Sequence, residues 1–319
     1  MLRIDSGLRL PGEPQVHLAA ELFLPVRLDP NPIVLVCLPG GGMNRHYYDL
    51  RPEDRDQSFS FAAQMSARGF LVLTLDYPGI GDSDRPADGY VLTPEVLAEA
   101  VVGATRHCLD ALRSGKLVAG LPALRGLSSV GVGHSMGGML AVLAQALGRQ
   151  HQALALLGFS TRGLPEYLPP SLRAVENPAA QRDQLPGWAR AQFGGQPYPV
   201  IGKSRDAAGI FGGAQADIRA VAALKRAAAP LLPVPALLAM LPGNVAAEAA
   251  AIDVPVFIGV GEHDMVGPPQ DAPFAFTRSR DRILHVLPGA GHSHFLFPAR
   301  RELFDRLAQC LHEKVETTP

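Results

Sequence analysis

The run from Ser129 to Leu140, Ser-Val-Gly-Val-Gly-His-Ser-Met-Gly-Gly-Met-Leu, constrains the fold more than any other stretch of the chain. A β-type segment, Ser129 to Gly133, passes through Gly-x-Ser-x-Gly directly into the apolar, Ala-rich helical pattern of Met139 to Leu147. A strand, a sharp turn bearing serine and a helix form a context that admits few folds. Small residues must flank the serine of so tight a turn, and Gly133 and Gly137 stand two residues to either side, while Gly138 lets the helix approach the sheet. The turn aims the Ser135 hydroxyl outward. Beside it, the Met136 N–H opens a helix, where unpaired N–H groups and the dipole favour negative charge. Both features suit an acyl-transfer nucleophile. A glycine-rich turn with an incidental serine would show the same pentapeptide, so the rest of the chain has to decide.

That rest alternates strand and helix. Residues 2–24 predict a hairpin, with turn signals at Gly7 and Pro11-Gly12. Ile33 to Leu38 is an unbroken β-branched and aliphatic run, as in a strand buried on both faces of a parallel sheet. It ends in Pro39-Gly40-Gly41-Gly42, a backbone nest able to present N–H groups to an anion. A helix over Phe59 to Arg68 stops at Gly69, and a strand over Phe70 to Leu75 leads into the polar turn from Asp76 to Asp84. Thr93-Pro94 opens a helix that runs to about Leu112. After the helix that follows Ser135 comes a strand, Ala153 to Gly158. From Ser160 to about Asp253 the rhythm stops in favour of Pro, Gly and Ala with short helical pieces such as Ala216 to Arg226. It resumes with strands at Val254 to Val260 and Ile283 to Leu287, a helical segment between them, and a last helix over about Ala299 to Val315. The expected architecture is α/β, a doubly wound, mainly parallel sheet made from residues 1–159 and 254–319, with 160–253 inserted as a mostly helical cap. A structureless loop of that length is improbable in a compact protein.

Composition narrows the function classes. Across 319 residues, 47% are hydrophobic and 18% charged, enough for a sizeable core and too little polarity for disorder. A net charge of -1 gives no electrostatic case for nucleic acid or an anionic membrane. Cys37, Cys108 and Cys310 are odd in number and widely spaced, so they are expected as reduced thiols without disulfide or zinc. The first residues show no basic region followed by an apolar core, and prolines at 230, 233 and 235 interrupt the longest apolar stretch. A cytoplasmic protein without a membrane span is the expectation. No metal or cofactor is expected, because no two histidines share helical ligand spacing with a suitable acid.

With its serine elbow at mid-chain, Gly261-Glu262-His263-Asp264 after a later strand and Gly289-Ala290-Gly291-His292 after the last, the chain resembles the α/β-hydrolase family. Strand-Pro-Gly-Gly-Gly and Asp-Tyr-Pro-Gly-Ile-Gly-Asp-Ser add to the resemblance, which covers the chain outside residues 160–253. It implies Ser135 as nucleophile, His292 as base, Asp264 as the acid that orients the base, and the N–H groups of Gly41 and Met136 as the oxyanion hole. Pro39 stands where many relatives carry histidine, and the glycines that shape the nest remain. Family branches that open epoxides or displace halide carry aspartate at the elbow, so serine implies acyl chemistry. The expected substrate is a mid-sized hydrophobic ester, with thioester cleavage or acyl transfer as the enzymatic alternative and a non-catalytic ligand receptor as the alternative of another class.

Several residues compete for these roles. His294 lies two positions past His292 and is expected to point elsewhere in an extended segment. Glu262 and Glu166 are alternative carboxylates to Asp264. His134 is expected to pack the elbow, and Asp76, Asp82 and Asp84 to shape their own turn. Gly42 and His46 follow the oxyanion loop and are candidate substrate contacts. Trp188 and Tyr198 are the cap aromatics expected to set chain-length preference, within an apolar set that includes Ile210 and Phe211. A basic patch would favour a phosphate-bearing carrier, and only scattered Arg173, Arg182, Arg190, Lys203, Arg205 and Arg219 are present.

Overall fold

A computed structural model describes residues 1–200 and 215–315; Lys203, Arg205, Ile210 and Phe211 lie outside the described residues. Eight strands form one sheet in the order β1-β2-β4-β3-β5-β6-β7-β8. The hairpin β1 (Leu2–Arg9) and β2 (Gln15–Phe23) joins antiparallel to β4 (Leu71–Leu75). From there β3 (Ile33–Leu38), β5 (Ser128–His134), β6 (Ala153–Leu157), β7 (Val256–Gly261) and β8 (Arg282–Leu287) are all parallel. Every residue of β3 to β7 is buried, which is why these strands read as continuous apolar runs without alternation. β8, at the sheet edge, is mostly half-exposed.

Helices cover both faces. On one, α2 (Pro94–Arg113) and α3 (Met136–Gly148) pack together; on the other, α1 (Phe61–Ala67) packs against α9 (Arg300–Lys314). The Thr93 side chain caps α2 by accepting the Val96 N–H, with Pro94 at the first position, where a missing N–H costs nothing. α3 starts three residues before the predicted Met139, because the elbow's own glycines form its first turn. The segment between β7 and β8 is a 3-10 turn, Pro269–Ala275.

Between β6 and β7 lie α4 (Pro170–Arg173), α5 (Leu185–Phe193), α6 (Ile218–Arg226), α7 (Pro233–Met240) and α8 (Ala246–Ala251). α5 packs on α7, while α7 and α8 pack on α3. Leu168, Leu185, Leu237 and Leu241 of this segment belong to the same apolar cluster as Leu140 of α3 and Leu156 of β6. Burying each such side chain contributes roughly 1.5–3 kcal/mol. Among the described residues, no helix is long and apolar enough to cross a membrane.

The register fixes what meets at the carboxyl edge. Leu38 pairs with Gly133, His134 with Leu157, Leu157 with Gly259, and Gly261 with Leu287. The loops that begin after these residues therefore rise side by side.

Candidate active site

Ser135 sits at the top of β5 with φ 56 and ψ −121, a left-handed conformation strained for a residue with a Cβ. The surroundings enforce it. Its N–H donates to the Leu157 carbonyl at 2.8 Å, and its own carbonyl accepts Gly138 N–H at 2.8 Å. A Cβ on Gly133 would lie 2.2 Å from the Gly137 carbonyl oxygen, and one on Gly137 would lie 2.1 Å from that of Leu38. Any larger residue at either place would force the turn open.

The loop after β8 brings His292 over the serine. His292 Nε2 lies 2.9 Å from Ser135 Oγ, and His292 Nδ1 lies 2.7 Å from Asp264 Oδ1. The loops carrying the acid and the base are stitched together by Glu262 N–H to Leu287 and His263 N–H to Ala290, both at 2.9 Å. Burial alone would raise the Asp264 carboxyl, but the adjacent His292 and His294 outweigh it and hold the group well below the usual carboxylate range. Asp264 is thus an anion at neutral pH, able to stabilise an imidazolium.

His294 departs from expectation. It does not point away: its Nε2 lies 2.9 Å from the second oxygen of Asp264. The chain is not extended here: it bends at His292 and Ser293 and enters a 3-10 turn at His294, which brings both rings to one carboxylate. Glu262 instead accepts Gly289 N–H at 2.8 Å, and Glu166 pairs with Arg162. His134 is fully buried, with Nε2 2.9 Å from the His292 carbonyl and its ring 4.5 Å from that of Tyr47. Burial, with His292 and His294 nearby, pushes it well below the ordinary histidine range, so it stays neutral.

The nest after β3 faces the elbow. A Cβ placed on Gly41 would lie 3.8 Å from Met136 Cβ, and neither Gly41 N–H nor Met136 N–H is spent on an acceptor among the described residues. Two aromatic hydroxyls pin the loop: Tyr48 donates to the Leu38 carbonyl at 2.8 Å and Tyr77 to that of Pro39 at 2.9 Å. Asp76 holds its far end. This fully buried carboxylate accepts the Arg45 N–H at 2.6 Å and pairs with the Arg45 guanidinium, which also meets Asp82 at 2.8 Å. The sequence suggested only a local role in the turn for Asp76, because nothing local announces a partner 31 positions away. The insertion contributes as well. Ala229 N–H donates to the Gly42 carbonyl at 2.8 Å and Asn44 N–H to the Ala227 carbonyl at 2.9 Å, flanking an antiparallel bridge between Met43 and Ala228.

Beside Ser135 lies a recess with about 30 Å³ of free space, lined by Met136, Phe159, Leu164, Ala239 and Val266 among others, with no carboxylate among the described lining residues. By this measure one water takes roughly 10–15 Å³, so the recess holds two or three non-hydrogen atoms. The other candidate contacts are not brought to it. His46 is exposed, with its N–H on Asn44 Oδ1 at 3.0 Å. Trp188 is half-buried against the apolar cluster. Tyr198 donates to the Pro86 carbonyl at 2.6 Å and lies under the Arg85 guanidinium, 4.6 Å from the ring centre. Among the described residues, no group of three or more potential ligands is placed to hold a metal ion. The three cysteines are buried and unpaired.

Serine, histidine and carboxylate in a line, above a parallel sheet and beside N–H donors with no acceptor among the described residues, fit a hydrolase of the α/β type. A sequence model described as "Alpha/beta hydrolase family" matches residues 35–302, and the chain belongs to that family. Solved structures similar in fold include a thermophilic esterase from Thermogutta terrifontis, at 19% identity and TM-score 0.58 over 98% of this chain and 96% of that one. Proline iminopeptidase from Mycobacterium smegmatis matches at 20% identity and TM-score 0.58, over 98% and 97%. An esterase from Exiguobacterium antarcticum matches at 17% and TM-score 0.57, over 98% and 99%. No curated protein sequence matches the chain.

Proposed function

We propose that this α/β hydrolase cleaves a carboxylic ester through an acyl-enzyme, with Ser135 as nucleophile, His292 as base and Asp264 as its partner. The carrying observation is the unbroken line from Ser135 Oγ to His292 at 2.9 Å and from His292 to Asp264 at 2.7 Å. His292 Nε2 takes the serine proton as Oγ attacks the acyl carbon. Charge gathering on the carbonyl oxygen meets the N–H groups of Gly41 and Met136, each such donor worth about 3 kcal/mol of barrier. As the tetrahedral centre collapses, the departing alkoxide takes the proton from His292. Water, deprotonated by the same nitrogen, then attacks the acyl-enzyme, and Ser135 leaves with that proton restored.

The described lining favours a neutral, apolar group in the recess, since a free amine buried there would find no carboxylate among those residues. Residues 160–253 act as a cap over the core formed by 1–159 and 254–319, supplying Leu164 and Ala239 to the wall. The bulk of a mid-sized hydrophobic ester then lies outside the recess. Arginines bear on the thioesterase and acyltransferase alternative. Arg182 is held by Glu95 and Glu248, Arg190 by Asp88 and Arg219 by Asp217, which leaves these three unsuited to a carrier's phosphate. The test is a panel of p-nitrophenyl esters and acyl thioesters of graded length, with fluorophosphonate labelling mapped by mass spectrometry. Label on Ser135 and a loss of about 10⁶ in kcat for Ser135→Ala are expected. Label elsewhere, with the alanine variant still active, would overturn the reading.

A further inference from the structure

His294 is an imidazole that the reaction above leaves unused, and its surroundings are built with care. It is fully buried, as is Asp264, and His292 is 3% exposed. Asp264 therefore carries one imidazole on each carboxylate oxygen: His292 Nδ1 at 2.7 Å from Oδ1 and His294 Nε2 at 2.9 Å from Oδ2. The other contacts to this carboxylate are long, Val266 N–H at 3.4 Å from Oδ1 and Gly261 N–H at 3.5 Å from Oδ2. Torsion about a terminal carboxylate is broad, so two long backbone contacts would define its plane poorly. A second short hydrogen bond on the far oxygen defines it well.

The proton on His294 can be placed. An anionic oxygen 2.9 Å from Nε2 favours the tautomer in which Nε2 carries the hydrogen and donates to Asp264. Nδ1, buried without a partner, is then the bare nitrogen and no N–H is orphaned. The Gly261 N–H is directed at this junction, 3.2 Å from His294 Nε2 and 3.5 Å from Asp264 Oδ2. The ring itself is fixed. His134 stands edge-on to it, with ring centres 5.8 Å apart at 89°. The next residue, Phe295, is locked among Tyr47, Phe61 and Phe304 at centre distances of 4.9, 5.3 and 5.7 Å.

We propose that His294 is a positioning residue: by donating from Nε2 to Asp264 Oδ2 it holds the carboxylate with Oδ1 turned to His292, and so aligns the base with Ser135. The role rests on the triad reading given above. His294 does not touch substrate, and its effect is on how well His292 takes a proton.

The test compares His294→Leu, which keeps volume without a donor, with His294→Gln, whose side-chain amide can donate to the same oxygen. His294→Leu is expected to lose about 10- to 100-fold in kcat, the size of one hydrogen bond to a charged group, with KM little changed. His294→Gln should recover most of that loss. The downfield proton resonance of the His292–Asp264 hydrogen bond should shift in the Leu variant and return in the Gln variant. Wild-type kcat in the Leu variant would overturn the proposal. So would equal loss in both variants, or a loss that only follows the fraction of folded protein by near-ultraviolet circular dichroism. Fluorophosphonate labelling separates the two levels of inference. No label on wild-type Ser135 sinks the triad reading itself, whereas labelling of the Leu variant at the wild-type rate sinks the role of His294 alone.

Discussion

The two regions that meet at Ser135 are held in place by different means. On the sheet side, main-chain bonds and register set the frame: Ser135 N–H on Leu157, His263 N–H on Ala290, and loops rising from strands paired residue by residue. On the insertion side, much of the hold is through side chains, Arg182 to Glu95 of α2, Arg190 to Asp88 and Tyr198 to the Pro86 carbonyl. Reactive geometry is thus written into backbone, and fit into exchangeable side chains. Substitutions in the first region should change rate whatever the ester; substitutions in the recess wall should change which ester is preferred.

After Ser135→Ala, the largest effect belongs to Asp264→Asn, which leaves the shape intact and presents the wrong hydrogen-bonding partner to His292. A fall of about 10⁴ in kcat, alike for every ester, is expected from steady-state assays. A fall confined to some esters would break the division between the regions.

Acid should weaken the sheet side next. His151 is buried on β6's approach, 3.1 Å from Ser129 Oγ, and burial lowers it from 6.5 to about 4. Below pH 6.5 the unfolded chain takes up a proton that the folded chain refuses. The His151 contribution is therefore complete above that pH and is lost as pH falls toward 4, up to about 3 kcal/mol. Buried neutral His134 acts in the same direction. Urea unfolding at pH 7 and pH 4.5 should show the loss, and His151→Phe should flatten it; an unchanged pH slope in that variant would locate the sensitivity elsewhere.

Leu164→Ala is the sharpest probe of the insertion side. It enlarges the recess by removing a wall residue beside Ser135. The ratio of kcat/KM for a substrate longer by one or two methylenes on the recess side should rise about 10-fold over wild type. An equal change for all lengths would mean that the wall does not read length.

The smallest effect is expected of Tyr198→Phe, which deletes the hydroxyl on Pro86 and leaves the recess untouched. About 1 kcal/mol of stability, read as a lower melting temperature with no change in length preference, is the expectation. Altered preference would return Tyr198 to the substrate-binding set.

Much of this molecule is legible in its sequence, and the unreadable parts share a cause. Buried parallel strands announce themselves as apolar runs, and the elbow, the Asp264 turn and the His292 loop carry local glycine signatures. The first turn of α3 is hidden because Gly137 and Gly138 are poor helix formers whose reason for being there is close packing. In the insertion, prolines read as breakers, yet Pro170 and Pro233 start helices, a position where proline is favoured. Asp76 with Arg45, and His294 with Asp264, are joined across 31 and 30 positions by side-chain geometry alone. Tyr198, an aromatic in an apolar segment, is spent on a loop carbonyl, which no periodicity foretells.

The bridge between Met43 and Ala228 has a consequence for how such proteins can be recombined. Residues 227 to 229 hold the Gly42 carbonyl and the Asn44 amide, so part of the scaffold of the glycine loop after β3 is supplied from the segment between β6 and β7. A chimaera that exchanges the whole of 160–253 for a homologous segment would therefore import a foreign splint for the glycine loop along with a new recess wall. Exchanges that leave 227 to 229 native keep the splint and transplant only the lining.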